Sequence, residues 1–422
     1  MLTISKDKQR IVIIGGGFAG MNLISNLDSE IYNIILVDRN NYHAFPPLFY
    51  QVASAGLEPA SVCFPFRQEL RKRKNLQLWM GEFLRVDTDN KIVETSTGNI
   101  SYDFLIIATG TTSNFFGNNQ LEDKVYTLKS TTDAIAIRNQ VLWALERAST
   151  CNDAEQRKHM LCFVVIGGGP TGVEVAGALG EMKKYILARE YPDIIKSEVR
   201  VVLVEGSDRL LRTMSNESSI KSLQYLRQLE VEVKLNLILS SYNGTELTFN
   251  NGNQLVCDTV IWTAGVTGEP APGIPQESVN KAGRIITDEY NRIKDIDNVF
   301  AIGDVCYMET PAFPHGHPQL AQVAIQQARN LASNLNKRID PKPFRYNDKG
   351  SMATIGRNRA VADIAKMHFY GRPAWMIWMG VHLISLMGMK NKIFTFINWM
   401  WYYFTYTTAL RLLIRPPKRK NK

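Results

Sequence analysis

Two glycine-rich segments have the spacing of turns that bind phosphate groups. Residues 15–20 read GGGFAG and residues 167–172 read GGGPTG, and each directly follows a short apolar run, at 11–14 and 163–166. Such a run predicts a buried parallel strand, and the glycines allow a tight turn and a close approach of the backbone to a pyrophosphate. The helix that follows offers unpaired N–H groups and a favourable dipole to that anion. Each segment therefore predicts the start of a dinucleotide-binding unit.

An acidic residue at the end of the next predicted strand is suited to hold a ribose. Asp38 follows the apolar run 34–37, and Glu205 follows the run 201–204. A carboxylate here accepts hydrogen bonds from ribose hydroxyls and repels a 2′-phosphate. Since no basic residue follows Glu205 before Arg209, the second unit is expected to prefer NADH to NADPH. The second copy has more residues between its first glycine and its acid, which predicts that the helix over residues 171–190 is long or is followed by an insertion.

A third segment completes each copy of the pattern, ATG at 108–110 in the first copy and TAG at 263–265 in the second. Roughly 95 residues separate the first glycine of each copy from the last. Three parts repeated in order are far more specific than one glycine turn, which an ordinary α/β sheet can also contain. The chain is expected to bind two dinucleotides, and a side chain at Gly15 is expected to occupy the space of a pyrophosphate. The contact residues predicted for the first copy are Gly15, Gly17, Phe18, Ala19, Gly20, Asp38, Arg39, Ala108, Thr109 and Gly110, and those for the second are Gly167, Gly169, Pro170, Thr171, Gly172, Glu205, Ala264 and Gly265.

The chain then returns to the first unit. A short apolar run before Gly303 and Asp304 predicts a strand whose end brings Asp304 against a polyol chain or a phosphate. The expected fold class is α/β, with two Rossmann-like dinucleotide-binding domains, the second inserted in the first, and a C-terminal amphipathic helical segment that anchors to a membrane. The expected boundaries are 1–112 and 267–340 for the two parts of the first domain, 113–266 for the second domain, and 341–422 for the C-terminal domain.

The basic charge is concentrated in the tail. Residues 371–422 hold nine Lys or Arg and no Asp or Glu, which equals the net charge of +9 of the whole chain. Residues 1–370 carry equal numbers of basic and acidic side chains. This charge balance argues against a nucleic-acid-binding protein, in which basic charge is spread over a recognition module. The tail is expected to meet an anionic surface instead.

Two aromatic segments in this tail predict helices that lie in a membrane surface. Residues 374–389 and 393–410 are dense in Trp, Tyr, Phe, Met and Leu, but the first is short of the roughly 20 residues that span a bilayer. Trp and Tyr favour the headgroup region, and the basic residues favour anionic lipid. We therefore expect a monotopic anchor. A dimerisation arm that gives a homodimer and a true transmembrane helix are the alternatives.

Cysteines and histidines offer no metal site. The five cysteines are scattered without a Cys-x-x-Cys pair, and only His315 and His317 lie close together among six histidines. This composition suits a reducing compartment. Residues 1–10 are charged and lack an apolar core, so no secretory signal is expected. The expected location is the cytoplasmic side of the cell inner membrane, as a peripheral protein.

The order of these segments resembles that of the two-dinucleotide-binding-domain flavoproteins, over nearly the whole body of the chain. Within them, four stretches are similar to type II NADH:quinone oxidoreductases: DRNNYH at 38–43, LFYQVA at 48–53, AQVAIQQ at 321–327 and NWMWYY at 398–403. A departure is Gln319-Leu320, where family members commonly carry a small residue and threonine. Because of this difference, the resemblance does not predict the shape of the pocket entrance.

The resemblance implies FAD as cofactor, NADH as substrate and a membrane quinone as electron acceptor. It adds Gly303, Asp304, Ala321 and Gln322 to the residues expected to contact FAD. Gln322 and Gln326 stand four apart, so they share a helical face and can both donate to a quinone oxygen. Solvent-facing glutamines are the alternative. The resemblance implies that this helix lies beside the flavin ring.

Glu174 is the remaining candidate for chemistry. Apolar neighbours predict a desolvated carboxyl with a raised pKa, although an acid near a helix start also stabilises the dipole. By resemblance, Glu174 lies near nicotinamide, flavin and quinone, where it orders the nicotinamide or passes protons toward the quinol. The expected catalytic residues are thus Glu174, Gln322 and Gln326.

The implied reaction is hydride transfer from NADH to FAD, followed by two-electron reduction of the quinone without proton pumping. A sulfide:quinone oxidoreductase is a rival, but it needs a redox cysteine pair and normally lacks an intact second fingerprint. A disulfide reductase would carry a close cysteine pair soon after Asp38, where only Cys63 occurs. A membrane-bound NADH sensor or scaffold is compatible with the same motifs.

Overall fold

The computed structural model describes residues 8–71, 73, 75–337, 340–405 and 410–413. The α-helices in these ranges are α1 (Phe18–Asn26), α2 (Phe49–Ala53), α3 (Phe66–Leu70), α4 (Thr131–Thr150), α5 (Ala154–Met160), α6 (Pro170–Glu181), α7 (Leu187–Glu190), α8 (Asn216–Gln228), α9 (Ala321–Lys337), α10 (Gly371–Ser385) and α11 (Met389–Thr405). A π-helical segment, Met182–Ile186, joins α6 to α7. The helix after the second glycine turn therefore continues to Glu190, which confirms the prediction of a long helix there.

The β-strands in the same ranges are β1 (Gln9–Ile14), β2 (Tyr32–Asp38), β3 (Tyr42–Ala44), β4 (Cys63–Pro65), β5 (Leu76–Met80), β6 (Phe83–Asp87), β7 (Ile92–Thr95), β8 (Gly98–Ser101), β9 (Phe104–Ile107), β10 (Thr111–Ser113), β11 (Tyr126–Thr127), β12 (Cys162–Ile166), β13 (Arg200–Val204), β14 (Val231–Lys234), β15 (Leu239–Tyr242), β16 (Glu246–Phe249), β17 (Gln254–Val256), β18 (Thr259–Trp262), β19 (Val266–Gly268), β20 (Ile285–Thr287), β21 (Val299–Ala301), β22 (Cys306–Met308), β23 (Ser351–Thr354), β24 (Ala360–Ile364) and β25 (Met367–Tyr370).

The described chain divides into two compact units. Unit 1 comprises the described residues of Met1–Ala44, Phe64–Thr112 and Val266–Asp348, and unit 2 those of Phe45–Cys63, Ser113–Gly265 and Lys349–Lys422. Unit 2 includes most of the expected insertion. Unit 2 also contains residues 45–63 and the C-terminal helices. The sequence had predicted that residues 341–422 form a separate domain.

A parallel sheet in the order β21-β9-β1-β2-β5 forms the centre of unit 1. Ile11, Val12 and Ile13 of β1 are fully buried, as expected for a strand covered on both faces. α1 packs against α9, and the hydroxyl of Tyr32 donates to the carbonyl of Leu335 at 2.7 Å. These contacts tie the start of the chain to the helix that carries Gln322 and Gln326.

Unit 2 repeats this plan with the sheet β11-β18-β12-β13-β14. All its strand pairs are parallel. In both units the strand that precedes the glycine turn lies between the strand that ends in the acid and the strand that precedes the third segment. An antiparallel meander also precedes that last strand in both units, β6-β7-β8 in unit 1 and β15-β16-β17 in unit 2. The duplication read from the sequence is therefore a duplication of topology.

The C-terminal part of unit 2 starts with the antiparallel sheet β23-β24-β25, on which α10 packs. Ala360, Ala362 and Ala374 meet at this contact and are fully buried, so their small side chains let helix and sheet approach closely. Trp378 of α10 is 1% exposed. One face of α10 is therefore part of the core of unit 2.

Candidate functional site

The first glycine turn, in unit 1, forms an open cradle at the start of α1. Gly15 adopts φ +101°, and a Cβ there would lie 2.4 Å from the carbonyl oxygen of Ala108. A Cβ at Gly17 would meet nothing within 4 Å, and Gly17 is the N-cap of α1 without a side-chain cap. The space beside this helix start is therefore open, and a helix start with no side-chain cap suits a phosphate. A side chain at Gly15 would therefore collide with Ala108 even without a ligand, and its collision with a pyrophosphate stays a prediction.

The remaining residues of the first copy surround this cradle. Asp38 Oδ2 accepts from the N–H of Gly16 at 2.7 Å, and Oδ1 accepts from the N–H of Asn40 at 2.7 Å. Burial raises the pKa of Asp38, and these hydrogen bonds and the Arg39 charge act against it. Phe18, Ala19 and Gly20 form the first turn of α1, Arg39 follows Asp38, and Ala108, Thr109 and Gly110 follow β9.

Two further features fit a bound FAD in unit 1. The hydroxyl of Thr109 is buried and has no hydrogen-bond partner within the described residues. Gly303 and Asp304 form a short 3-10 turn after β21, with φ +76° at Gly303. The side chain of Gln319, the departure from the family pattern, donates to the carbonyl of Asp304 at 3.3 Å. Gln319 therefore connects the segment before α9 to this turn by a hydrogen bond.

Unit 2 carries a matching cradle. Gly167 adopts φ +110°, and a Cβ there would lie 2.7 Å from the backbone of Ala264. Gly169 is the N-cap of α6, and its Cβ would again meet nothing within 4 Å. A Cβ at Gly172 would lie 1.8 Å from the carbonyl oxygen of Gly167, so the helix packs directly against the turn. Pro170 and Thr171 form the first turn of α6, and Ala264 and Gly265 follow β18.

Glu205 repeats the contact that Asp38 makes. Its Oε2 accepts from the N–H of Gly168 at 2.5 Å, and its Oε1 accepts from the N–H and the hydroxyl of Ser207 at 2.7 Å. Arg209 donates to the carbonyl of Arg212 at 2.8 Å. In both units, the acid at the end of the second strand therefore anchors the second glycine of the turn.

Glu174 lies inside unit 2, beyond the first turn of α6. It is 8% exposed, and burial raises its pKa to about 8, although the backbone N–H of Thr354 and the indole of Trp378 act in the opposite direction. Helix-dipole stabilisation fades within the first turn. The predicted rise in pKa is confirmed, and the carboxyl is largely protonated at pH 7.

A second buried acid, Glu181, stands seven residues further along the same helix. It is 6% exposed, and its Oε1 accepts from the N–H of Arg357 at 2.6 Å. Burial raises its pKa, while Arg357 and Arg359 lower it. Seven residues are close to two helical turns, so Glu174 and Glu181 share one face of α6.

Glu181 is part of the wall of an aromatic cavity in unit 2. The cavity is partly open to solvent. The π-helical segment after Glu181 contributes Met182 and Ile186 to its wall. Its other lining side chains include Tyr50, Gln51, Thr354, Arg357, Trp375, Trp378, Met379, Trp399, Tyr402, Tyr403 and Arg411. An apolar wall with a few polar groups suits a flat ring that carries oxygen atoms.

Arginine side chains hold the end of α11 at this cavity. Arg357 donates to the carbonyl of Tyr403 and lies over its ring, 5.1 Å from the ring centre. Arg189 donates to the carbonyl of Thr405 at 3.4 Å, and Arg411 pairs with Glu190. The last carbonyls of the helix are therefore neutralised by cations.

Gln322 and Gln326 lie on α9 in unit 1. The side chain of Gln326 makes two hydrogen bonds with the backbone of Asn347. It donates to the carbonyl and accepts from the N–H, at 2.9 Å each. Gln322 lies 3.5 Å from a carboxylate oxygen of Asp348. Ala321 is the first residue of the helix. The Gln326 amide has a second N–H and a second oxygen lone pair beyond these two bonds.

Outward faces of α10 and α11 carry an apolar surface. Ten of the twenty large apolar side chains that are exposed in the described residues lie on or between these two helices. They are Met376, Val381, Ile384, Met389, Ile393, Phe394, Phe396, Ile397, Trp401 and Phe404. Such a concentration marks an interaction surface. No described helix combines the length and the apolar character needed to cross a membrane.

Sequence reasoning missed several residues that shape the cradles. His43 is buried, and its Nδ1 lies 2.9 Å from the carbonyl oxygen of Gly16, so Nδ1 must carry the proton. The ring of Phe66 occupies the space beside Gly16, and the Gln327 side chain accepts from the N–H of Gly303 at 2.7 Å. His43 and Gln327 lie within the family-like stretches 38–43 and 321–327, but nothing in the sequence assigned them these contacts, and Phe66 lies outside those stretches.

The described residues contain neither a disulfide bond nor a cluster of metal-ligating side chains. Within the described ranges, His, Cys, Asp and Glu form no group of three or more that could hold a metal ion. All five cysteines are free thiols. Cys257 donates to the carbonyl of Cys162 at 3.0 Å, and both are buried in unit 2.

Comparison with known proteins covers nearly the whole chain. The family model of the pyridine nucleotide-disulphide oxidoreductases matches residues 9–328, and that of the NDH2 C-terminal domain matches residues 349–405. Type II NADH:quinone oxidoreductase NdhA of Mycobacterium tuberculosis is 34% identical over 412 residues, which cover 93% of this chain and 86% of that protein.

Solved structures share the fold. NDH2 from Plasmodium falciparum, solved in complex with NADH, aligns with a TM-score of 0.88 at 23% identity, over 97% of this chain and all of that one. The sulfide:quinone oxidoreductase of Aquifex aeolicus aligns with a TM-score of 0.72 at 19% identity, over 95% of this chain and 96% of that one. The fold is therefore common to more than one quinone-reducing family.

Proposed function

Because this chain belongs to the type II NADH:quinone oxidoreductases, we propose that it uses FAD to oxidise NADH and to reduce a membrane quinone. The observation that carries this function is the pair of matched cradles, in which Asp38 and Glu205 make the same contact with a glycine turn. FAD, when bound, accepts a hydride from NADH and gives two electrons to the quinone. The chain's own residues supply binding, orientation and protons.

FAD is proposed to bind the cradle of unit 1. The N–H groups at Gly17 and the first turn of α1 would hold its pyrophosphate, and Asp38 would accept from its ribose. Thr109, with its unpartnered buried hydroxyl, is suited to a polar atom of the cofactor. Gly303, Asp304, Ala321 and Gln322 are proposed to complete the site, together with the remaining residues of the first copy.

NADH is proposed to bind the cradle of unit 2. Gly169 and the start of α6 would receive its pyrophosphate, and Glu205 its ribose hydroxyls. A 2′-phosphate would meet the Glu205 carboxylate, whereas Arg209 already donates to its own chain. The arrangement supports a preference for NADH over NADPH.

Glu174 is proposed to handle protons or to order the nicotinamide. A carboxyl with a pKa of about 8 holds its proton at neutral pH and releases it at modest cost. The quinone needs two protons when it accepts two electrons. Glu174 is therefore suited to be one link in their supply.

The aromatic cavity of unit 2 is proposed to take the quinone. Its tryptophan and tyrosine walls suit an apolar ring and chain, and both helices that carry the exposed apolar side chains, α10 and α11, contribute to these walls. By family resemblance, the sequence separately suggests Gln322 and Gln326 on α9 as donors to a quinone oxygen, since their amides carry no charge.

Membrane attachment is proposed to use the exposed face of α10 and α11. Ile384 is 75% exposed and Phe404 73%, which makes both available to a lipid surface. Lys390 and Lys392 add positive charge in the first turn of α11. Anionic lipid on the cytoplasmic side of the inner membrane is the surface we propose. A homodimer through the same face is the competing use of this surface.

A substrate panel tests the function. Purified protein in detergent would be assayed with NADH and NADPH against menaquinone and ubiquinone analogues. We expect turnover with NADH and a quinone, and a clear preference for NADH. Oxidation of NADH that never reaches a quinone would reject the proposal in favour of a sensor or scaffold.

A further inference from the structure

A short chain of hydrogen bonds connects α11 to the wall of the aromatic cavity. The indole N–H of Trp399 donates to Oε1 of Gln51 at 2.7 Å, and Nε2 of Gln51 donates to the hydroxyl oxygen of Tyr50 at 2.7 Å. All three side chains line the cavity. Trp399 is 7% exposed and Tyr50 6%, so both bonds are formed away from bulk water.

Chemistry fixes the direction of each bond. An indole nitrogen can only donate, so Gln51 must turn its carbonyl oxygen to Trp399 and its amide nitrogen to Tyr50. The Tyr50 oxygen therefore accepts, and its own proton must point elsewhere. Within the part of the chain that the structure describes, no side chain or carbonyl accepts from this hydroxyl. The proton is available to a molecule in the cavity.

The hydroxyl also keeps this proton at neutral pH. Burial raises the pKa of Tyr50 well above its ordinary value, and the nearby Glu174, Glu181 and Tyr402 act in the same direction. The hydrogen bond from Gln51 lowers it only in part. Tyr50 is thus a neutral donor whose direction is set by its neighbours.

We propose that Tyr50 donates a hydrogen bond to a carbonyl oxygen of the quinone, and that Trp399, acting through Gln51, is the positioning residue that aims it. This inference rests on the proposed function, because a quinone must first enter the cavity. A neutral hydroxyl matches a neutral carbonyl and brings no charge into an apolar site. The helix that carries the proposed membrane surface thereby also sets how the substrate is recognised.

Two ring compounds of the same shape test this recognition. Binding of 2-methyl-1,4-naphthoquinone and of 2-methylnaphthalene would be measured by calorimetry on the oxidised, FAD-loaded protein without NADH. Tyr50→Phe should weaken binding of the quinone about three- to tenfold, as expected for one neutral hydrogen bond. Binding of the hydrocarbon, which has no carbonyl, should stay within about twofold.

Trp399→Phe keeps an aromatic ring but removes the N–H that holds Gln51. The freed amide can turn its oxygen to Tyr50 and capture the hydroxyl proton, so this variant should also lose quinone binding and keep hydrocarbon binding. The Tyr50→Phe/Trp399→Phe double variant should bind the quinone no more weakly than Tyr50→Phe alone, since both changes remove the same contact. Tyr307→Phe, in unit 1, is the matched control.

Equal losses for both ring compounds would overturn the proposal, because they indicate damage to the shape of the cavity. Additive losses in the double variant would overturn the role of Trp399. If Tyr50→Phe does not fold, the test depends on Trp399→Phe, which must weaken binding of the quinone but not of the hydrocarbon. Equal effects on the two compounds would then reject the inference. Wild-type protein that binds no quinone and is not re-oxidised by one would instead reject the proposed function.

Discussion

Replacing Glu174 by glutamine should remove a pH-dependent cost of folding. The carboxyl has an ordinary pKa of 4.5, and burial raises it to about 8 in the folded protein. Between these values the unfolded chain releases the proton and the folded chain retains it. The stability of the wild-type protein therefore falls as pH rises through this window. Below pH 4.5 both states are protonated, and the cost disappears.

The expected size follows from the same pKa. Each pH unit within the window costs roughly 1.4 kcal/mol. The full cost above pH 8 is then on the order of 5 kcal/mol, and the cost at pH 7 is about 3 kcal/mol. The glutamine amide would carry no charge at any pH, so Glu174→Gln should be more stable than wild type by about these amounts at neutral and alkaline pH.

Urea unfolding between pH 5 and pH 9 measures this difference. FAD-loaded wild type and Glu174→Gln would be followed by tryptophan and flavin fluorescence, and their free energies of unfolding subtracted at each pH. Contributions from other groups, including Glu181, largely cancel in the subtraction. Glu122→Gln, at an exposed position, is the control and should give a flat difference. Parallel pH profiles for wild type and Glu174→Gln would refute the buried, protonated state.

Three further changes test the other proposed sites. Glu205→Ala should narrow the preference for NADH over NADPH, because it removes the ribose acceptor and the repulsion of a 2′-phosphate; an unchanged ratio of kcat/KM values would remove Glu205 from the site. Gln326→Leu should slow quinone reduction more than flavin reduction by NADH in stopped-flow experiments, whereas Asn330→Leu, which loses a similar bond to the backbone at Lys342, should affect neither; slower flavin reduction in Gln326→Leu would show that this face is misassigned. Ile384→Asp combined with Phe404→Asp should release the protein from anionic liposomes, with Ile195→Asp as the exposed control; a variant that still co-sediments but no longer dimerises would favour the dimerisation surface.

Most of the fold could be predicted from local patterns in the sequence. The two central sheets follow from apolar runs next to glycine turns, because a strand buried on both faces needs a continuous apolar run. The acids at positions 38 and 205, which contact the glycine turns in the structure, could be identified because dinucleotide-binding units commonly have a carboxylate at the end of the next strand. The duplicated meanders had no comparable signal in the sequence.

Contacts between distant residues could not be read in this way. Gln51 and Trp399 are 348 residues apart in the chain and meet only through packing in unit 2. Gln326 and Gln327 are neighbours, yet only Gln327 faces Gly303, because the packing of α9 fixes which side of the helix is buried. The clash of a side chain at Gly15 with Ala108 likewise depends on how closely two strand ends approach.

An anaerobic flavin titration tests the central claim most directly. The purified protein would be reduced with one equivalent of NADH, and a short-chain quinone then added while the flavin absorbance is followed. We expect NADH to bleach the flavin and the quinone to restore its absorbance in proportion to the amount added. A flavin that bleaches with NADH but does not recover with quinone would contradict the proposed function, as would a chain purified without any flavin.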